Sequence, residues 1–319
     1  MSRGQASIPQ SLRDHLPRNS RLLLAVSGGI DSMVLLHACC SLRRELALHV
    51  EVAHINHNLR SCSNEDAAFV EREARSVGLP FHILQAQRAE SSENVESWGR
   101  RVRYEYFEKL CKDHALQATV TAHQADDVAE TLLMRLVSNK EPGELCRFDA
   151  RRRLVRPLLD VTRAMIENYA REHGVAWRED PTNSDEAFLR NKVRHSLMPL
   201  LRQQFDQRMS EVLSLRAQAL ADDSNALDAW SHAEAERLEG LSPGSRDWLI
   251  ALRAVLAALE TAVQWRVARD VFASAVGFDL GRSRAEDLVD FILGNAEGIE
   301  LPSGLTLKRK DGGLLISRR

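Results

Sequence analysis

The string RLLLAV at residues 21–26 runs directly into Ser27-Gly28-Gly29-Ile30-Asp31-Ser32, and a helical pattern follows. An apolar run without a polar face suits a strand buried on both sides, the central strand of a parallel sheet. Two glycines at its end let the backbone approach a ligand closely. The helix that starts there turns unpaired N–H groups and the positive end of its dipole toward the same point. Two serine hydroxyls add donors. The arrangement is an anion cradle suited to phosphate. It is not a Walker A loop, because Gly-Lys-Ser/Thr occurs nowhere in the chain, and G-x-G-x-x-G is also missing. An acidic residue in such a cradle calls for a cation, so Asp31 points to Mg²⁺ or to a positive group on a substrate.

The chain around this loop alternates. Strands are expected at residues 49–53, 81–84 and 118–122, and helices at 31–46, 64–77, 94–114 and 125–137. Repeated strand–helix units of this length predict an α/β fold, a doubly wound parallel sheet with helices on both faces. After residue 138 the pattern breaks. A loop at 139–143 and a basic extended stretch at 151–157 precede a helix at 162–173, with Thr162 as N-cap and Gly174 past its end. The string DPTN at 180–183 is turn chemistry. Residues 187–238 are almost all helix formers, interrupted by Pro199. Three helical segments then fill 241–295, and short strands follow near 298, 304 and 313. The expected division is a catalytic domain over 1–215 and a smaller, mainly helical C-terminal domain over 216–319.

Composition removes several classes. At 319 residues the chain can bury a core without staples. Hydrophobic residues are 44% and charged residues 28%, which excludes a disordered or collagen-like chain. The net charge of -2 excludes a uniformly basic nucleic-acid coat while leaving room for local basic patches. Cys39, Cys40, Cys62, Cys111 and Cys146 form no C-x-x-C pair, so free thiols are expected rather than a cluster or a zinc ribbon. No apolar run is long enough for a membrane span, and the N-terminus lacks a secretory apolar region. A cytoplasmic location is expected, and a homodimer is left open.

The string TAHQADDVAET at residues 121–131 ends the strand expected at 118–122 and starts the next helix. Its residues are Thr121-Ala122-His123-Gln124-Ala125-Asp126-Asp127-Val128-Ala129-Glu130-Thr131. Asp127 and Glu130 are three apart and share a helix face. The carboxyl ends of parallel strands are where such sheets bind ligands. Two carboxylates there could hold an ammonium group, and His123 could act as an acid/base group or meet a phosphate. A helix start that favours acidic residues for its dipole is the plainer alternative. His54, Asn56 and His57 read as a pocket wall more readily than as a metal site. On the helix carrying Arg100, Arg101, Arg103 and Tyr104, Arg103 is the phosphate candidate. Arg147, Arg151, Arg152, Arg153 and Arg156 form one basic cluster, and Lys308, Arg309, Lys310, Arg318 and Arg319 another. Both are either solvated surface or RNA-phosphate contacts.

Residues 27–32 resemble the SGGxDS loop of PP-loop ATP pyrophosphatases. The strings VAHINHNLR at 52–60, TAHQADDVAET at 121–131, RPLL at 156–159, DPTN at 180–183 and RNKVRH at 190–195 are similar, in order, to motifs of the tRNA(Ile)-lysidine synthetases. The resemblance covers about residues 20–202, and the remaining length fits the family's short form. It implies ATP bound by Ser27, Gly28, Gly29, Ile30, Asp31 and Ser32, with Mg²⁺ for which Asp31 is the weak candidate. It implies lysine oriented by Asp127 and Glu130, chemistry assisted by Asp31, His123 and Asp127, and Arg103, Arg190 and Arg194 meeting tRNA or phosphate. The implied reaction joins L-lysine to the wobble cytidine of an isoleucine tRNA and splits ATP to AMP and pyrophosphate. Three departures stand out. Gln124 replaces a common histidine, Asn58 replaces a common glycine, and residues 138–146 replace a glycine-rich segment. A tRNA thiolase is the nearest competing reading, against which the missing C-x-x-C counts. A non-catalytic nucleotide-binding regulator is the other, against which the acidic residues count.

Overall fold

The computed structural model describes residues 7–58, 63–86, 95–138, 147–149, 152–179, 189–277 and 280–318. The chain divides into two compact units, residues 1–221 and 222–319.

The first unit opens with helix α1, Ile8–His15, which the strand–helix reading passed over. Its signal is Ser7, whose hydroxyl accepts from the Gln10 N–H, followed by Pro9 in the first turn, where a missing N–H costs nothing. The expected alternation follows as β1 Arg21–Ala25, α2 Ile30–Leu42, β2 His49–Asn56, α3 Ser63–Ser76, β3 Phe81–Gln85, α4 Val95–Asp113, β4 Ala118–Val120 and α5 Ala125–Val137. Two short strands, β5 Phe148–Asp149 and β6 Leu154–Val155, precede α6 Arg163–His173. The six strands form one sheet in the order β3-β2-β1-β4-β6-β5. Every pairing is parallel except β5 with β6, which is antiparallel and closes one edge.

Alternation along β1 sorts its side chains to the two faces. Leu22 and Leu24 join Val50, Val52 and Val120 in a core under α1, α2, α3 and α6. Leu23 joins Ala53 on the other face, against Phe107, Leu110 and Cys111 of α4. Helices on both faces and β1 buried at its centre match the expected α/β class. Cys39, Cys40 and Cys111 are free thiols, while Cys62 and Cys146 lie outside the described residues.

Beyond the sheet come α7 Leu189–Lys192, a π-helical turn at Val193–Leu197, α8 Met198–Gln204 and α9 Met209–Glu236. Pro199 does not break the chain here as expected. It lies in the first turn of α8, and the π turn before it closes with the Met198 N–H donating to the Val193 carbonyl. An i→i−5 bond absorbs the register that proline would otherwise disrupt. The real break is the segment after Gln204, and α9 then runs across the point where the two units divide.

The second unit holds α10 Arg246–Ala257, α11 Thr261–Val276 and α12 Arg282–Leu293. A three-stranded antiparallel sheet follows, built from β7 Gly298–Leu301, β8 Leu305–Lys310 and β9 Gly313–Arg318. Trp248, Phe272, Leu288 and Leu307 anchor its separate core. Among the described residues no helix is long and apolar enough to cross a membrane.

Candidate active site

The loop after β1 folds as its glycines require. Gly28 has φ +95°, and a Cβ there would meet Val70 Cγ2 at 3.3 Å. Gly29 caps α2 without any side-chain hydrogen bond, so the first turn of that helix faces the loop unserved by a side chain. Ser32 stitches the loop together: its Oγ accepts from the N–H groups of Ser27 and Gly28 at 3.1 and 3.2 Å and donates to the Gly29 carbonyl at 2.9 Å. Ser32 is buried and Ser27 exposed, so in this state Ser27 is the hydroxyl that a ligand meets first. The Arg178 N–H donates to the Gly28 carbonyl at 2.9 Å and braces the loop from outside.

Asp31, in the first turn of α2, is gripped by Arg163, whose Nη1 reaches both carboxylate oxygens at 3.2 and 3.0 Å. Burial nevertheless pushes the Asp31 carboxyl up to about 6, against the pull of that guanidinium. Sequence reading missed Arg163. Its signal was an arginine at the first position of a helix, where the dipole disfavours positive charge.

The acidic motif starts α5 with a reciprocal cap. The Gln124 side chain accepts from the Asp126 N–H at 2.7 Å, and the Gln124 N–H donates to Asp127 Oδ2 at 3.1 Å. Gln124 therefore has a local task that a side-chain carbonyl performs well. Asn58, the second departure, sits at φ 50°, a left-handed position that Asn tolerates nearly as glycine does. The third departure lies outside the described residues apart from Ser138, as do Arg60, Arg151, the turn at 180–183 and Arg319.

Asp126 and Asp127 point to different tasks. Asp126 is buried and structural: it accepts from the Arg163 N–H at 2.8 Å, from the Ser210 hydroxyl at 2.7 Å and from Arg202. Asp127 and Glu130 share a face as expected, and two arginines from α7 and the π turn meet them. Arg190 donates to Asp127 at 2.6 Å and to Glu130 at 3.1 Å. Arg194 donates to Glu130 at 2.7 and 2.9 Å and to Asp127 at 3.3 Å. The result is a quartet of two carboxylates and two guanidiniums. Its acids are 13% and 3% exposed, while the arginines keep 41% and 34%.

His123 accepts from or donates to the Thr121 hydroxyl at 2.9 Å. Its proton affinity is pushed down to about 4 by burial, and the nearby charges of Arg156, Arg190 and Arg103 add to the shift. The imidazole is neutral near pH 7. Arg103, on α4, thus lies within electrostatic reach of His123 and of His57. His54 is buried and bonded through Nδ1 to the Val26 carbonyl at 2.8 Å, so it fixes the strand end that carries the loop. His57 packs edge-on against Trp98, and its buried Nδ1 finds no hydrogen-bond partner among the described residues.

The basic cluster after residue 146 divides. Arg156 is fully buried, Arg147 pairs with Asp160 at 2.5 Å, and Arg152 pairs with Asp149 and lies over the Tyr104 ring. In the second unit Arg309 is not a solvent-facing contact as its cluster suggested. Its guanidinium donates to the carbonyls of Phe291 at 2.7 Å, Gly294 at 2.9 Å and Ala296 at 2.9 Å, closing the end of α12.

An anion cradle at the carboxyl end of a central parallel strand, without a Walker lysine and in the same unit as a charge quartet with buried carboxylates, is the arrangement of a PP-loop domain. A family model described as a PP-loop domain matches residues 2–201. The tRNA(Ile)-lysidine synthase of Thermobifida fusca (strain YX) is 31% identical over 319 residues, 98% of this chain and 96% of that one. Its counterpart in Geobacter sulfurreducens is 40% identical over 219 residues, 65% of this chain but 45% of that one. The chain spans about half the length of several curated relatives it matches. The solved U34-tRNA thiolase NcsA from Methanococcus maripaludis, with its [4Fe-4S] cluster, shares the fold at TM-score 0.56 and 14% identity, over 66% of this chain and 76% of that one. The chain belongs to the PP-loop tRNA(Ile)-lysidine synthase family.

Proposed function

We propose that this protein joins L-lysine to carbon 2 of the wobble cytidine of an isoleucine tRNA, converting ATP to AMP and pyrophosphate. The observation that carries this reading is the Asp127–Glu130–Arg190–Arg194 quartet in the same unit as a phosphate cradle. A free amino acid brings both a carboxylate and an α-ammonium. A mixed quartet matches that pair: the carboxylates take the ammonium and the guanidiniums the carboxylate. The side-chain amine is then left uncommitted, as a nucleophile must be.

In the first step the 2-keto oxygen of cytosine attacks the α-phosphate, and pyrophosphate leaves into the cradle formed by residues 27–32. The α2 N-terminus and the loop amides stabilise its charge. In the second step the lysine ε-amine attacks carbon 2 and AMP leaves, so a poor leaving oxygen has become a good one. The amine sheds a proton as the bond forms. His123, kept neutral by burial, is our candidate to receive it. Arg103 and the exposed parts of Arg190 and Arg194 supply positive charge for phosphates.

The carboxylates of these motifs fit a magnesium ion in only one place. Asp126, Asp127 and Glu130 are bound to arginines in and around the quartet, whereas Asp31 stands inside the cradle and holds a single arginine. Asp31 is the residue that would hold magnesium, which when bound would supply charge stabilisation at the phosphates.

The C-terminal unit is assigned to tRNA, with Lys308 and Lys310 as its phosphate contacts. The boundary proposed for the catalytic part stays near residue 215. A cytoplasmic location follows from the substrate. The direct test is incorporation of radiolabelled lysine into isoleucine tRNA with ATP present or absent. Label in tRNA together with AMP supports the proposal. Release of ADP, or AMP formed without tRNA, would overturn it.

A further inference from the structure

At the amino ends of the same strands, away from the cradle, lies a second cluster that the proposed reaction does not use. Glu51 is the third residue of β2 and shares the α4 face with Ala53. A carboxylate at 5% exposure under a helix needs partners to offset its lost hydration. Three imidazoles supply them. Oε2 meets His82 Nε2 at 2.7 Å and His114 Nδ1 at 3.0 Å, and Oε1 meets His49 Nε2 at 3.0 Å. His82 comes from β3 and His114 from the turn that leaves α4, so separate elements converge on one oxygen. Their rings stand edge to face with centroids 4.5 Å apart. Arg21 approaches Oε1 no closer than 3.9 Å, while its Nε and Nη2 are spent on the carbonyls of Ala115 and His114.

We propose that Glu51, His82 and His114 form a binding site for a divalent transition ion of the zinc type. Two imidazoles and a carboxylate are a borderline N/O donor set that suits zinc. Their donor atoms all lie within 4.8 Å of one another. Zinc bonds of roughly 2.0–2.1 Å place tetrahedral ligand atoms about 3.3 Å apart, so the cluster opens by a few tenths of an ångström to admit the ion. His49, on the other carboxylate oxygen, orients the ligand from behind, as carboxylate ligands require. His82 and His114 are 18% and 38% exposed, which leaves an entry path and a fourth position for water. The ion would tie β2, β3 and the end of α4 together at the face opposite the ATP loop.

The test uses the full chain without a histidine tag, stripped by a chelator and dialysed. Zn²⁺ is titrated by calorimetry, and Co²⁺ replaces it as a visible probe. One equivalent of Zn²⁺ per chain is expected, with intense Co²⁺ bands of a four-coordinate site. His82→Asn and His114→Asn should each weaken binding by at least ~10–100-fold, and His49→Asn by roughly 10-fold. His232→Asn, a solvent-facing histidine of the second unit, should bind as the parent does. Weak six-coordinate Co²⁺ bands in the parent protein, sub-stoichiometric Zn²⁺, or parent-like affinity in His82→Asn would each overturn the proposal. The parent cobalt spectrum decides the matter even where a substituted chain folds poorly.

Discussion

At the carboxyl end of the sheet, Asp127 and Glu130 are held by Arg190 and Arg194; at the amino end, Glu51 is held by His49, His82 and His114. Both ends bury carboxylates, but the partners differ. Guanidiniums stay charged and fork onto two oxygens, which suits holding a zwitterion in one orientation. Imidazoles offer lone pairs, which suits a metal. The difference separates a site built for chemistry from a site built to fasten elements. Glu130→Gln should break this comparison most sharply. Removing one charge-assisted partner costs about 1.5–3 kcal/mol, so kcat/KM for lysine should fall roughly ten- to a hundredfold while ATP affinity at the loop persists. Glu51→Gln should lower the melting temperature yet leave kcat/KM of the folded enzyme within about twofold. Steady-state kinetics beside a thermal melt checks both, and equal kinetic losses in the two variants would erase the distinction.

Gly28→Ala tests the cradle by itself. The backbone at φ +95° and the 3.3 Å approach to Val70 oppose any side chain. Strain of this kind costs about 1–3 kcal/mol. ATP affinity should drop by about tenfold or more, and lysine binding in the quartet should survive. Calorimetric titration with ATP and with lysine measures each; a parent-like ATP affinity would show that the loop does not hold the nucleotide by close backbone approach.

Much of this was legible. The strand–glycine–helix junction, the α5 boundaries and the Thr162–Gly174 caps follow from local chemistry, and so does the shared face of Asp127 and Glu130. Arg190 and Arg194 read from sequence as tRNA or phosphate contacts, but their grip on the acids is not visible there, because it joins residues as far apart as Glu130 and Arg190, 60 positions along the chain. The Glu51 cluster was illegible for the same reason: residues 49, 51, 82 and 114 form no motif until β2, β3 and α4 are side by side. Arg309 was misjudged because a run of basic residues carries no hint of which one faces a helix end.

The pH dependence of stability sharpens the comparison within the active site itself. Asp31 has a folded carboxyl raised to about 6, so between 3.8 and about 6 the folded state binds more protons than the unfolded chain. Stability contributed by this group therefore falls as pH rises through that window, and the cost is complete above it. His123 behaves oppositely: lowered from 6.5 to about 4, it loses stability as pH falls through that window. Asp31→Asn should raise the melting temperature by a few degrees at pH 8 and by nothing at pH 3.5. His123→Gln should flatten the acid limb between pH 6.5 and 4. Melting curves over that range check both signs, and a gain from Asp31→Asn that grows on acidification would refute the burial of its charge.

The smallest effects are expected in the second unit, where three neighbours on β8 separate fastening from binding once more. Lys308 and Lys310 are exposed, whereas Arg309 turns inward and donates to the carbonyls that end α12. If the unit holds tRNA through phosphates, Lys308→Ala and Lys310→Ala should each weaken binding a few-fold. Each should also flatten the slope of log K against log salt by roughly 0.7–0.9. Neither should alter which tRNA is chosen, because phosphate contacts position but do not read sequence. Arg309→Ala should instead lower the melting temperature of the unit, since orphaned helix-end carbonyls lose their donor. Its salt slope should match the parent's once measured well below that melt. tRNA binding over a salt series, beside thermal melts of the three variants, distinguishes the roles. A flattened slope for Arg309→Ala with parent-like stability would place its guanidinium on the tRNA instead of on α12. Unchanged slopes for both lysines would remove this strand from the tRNA interface.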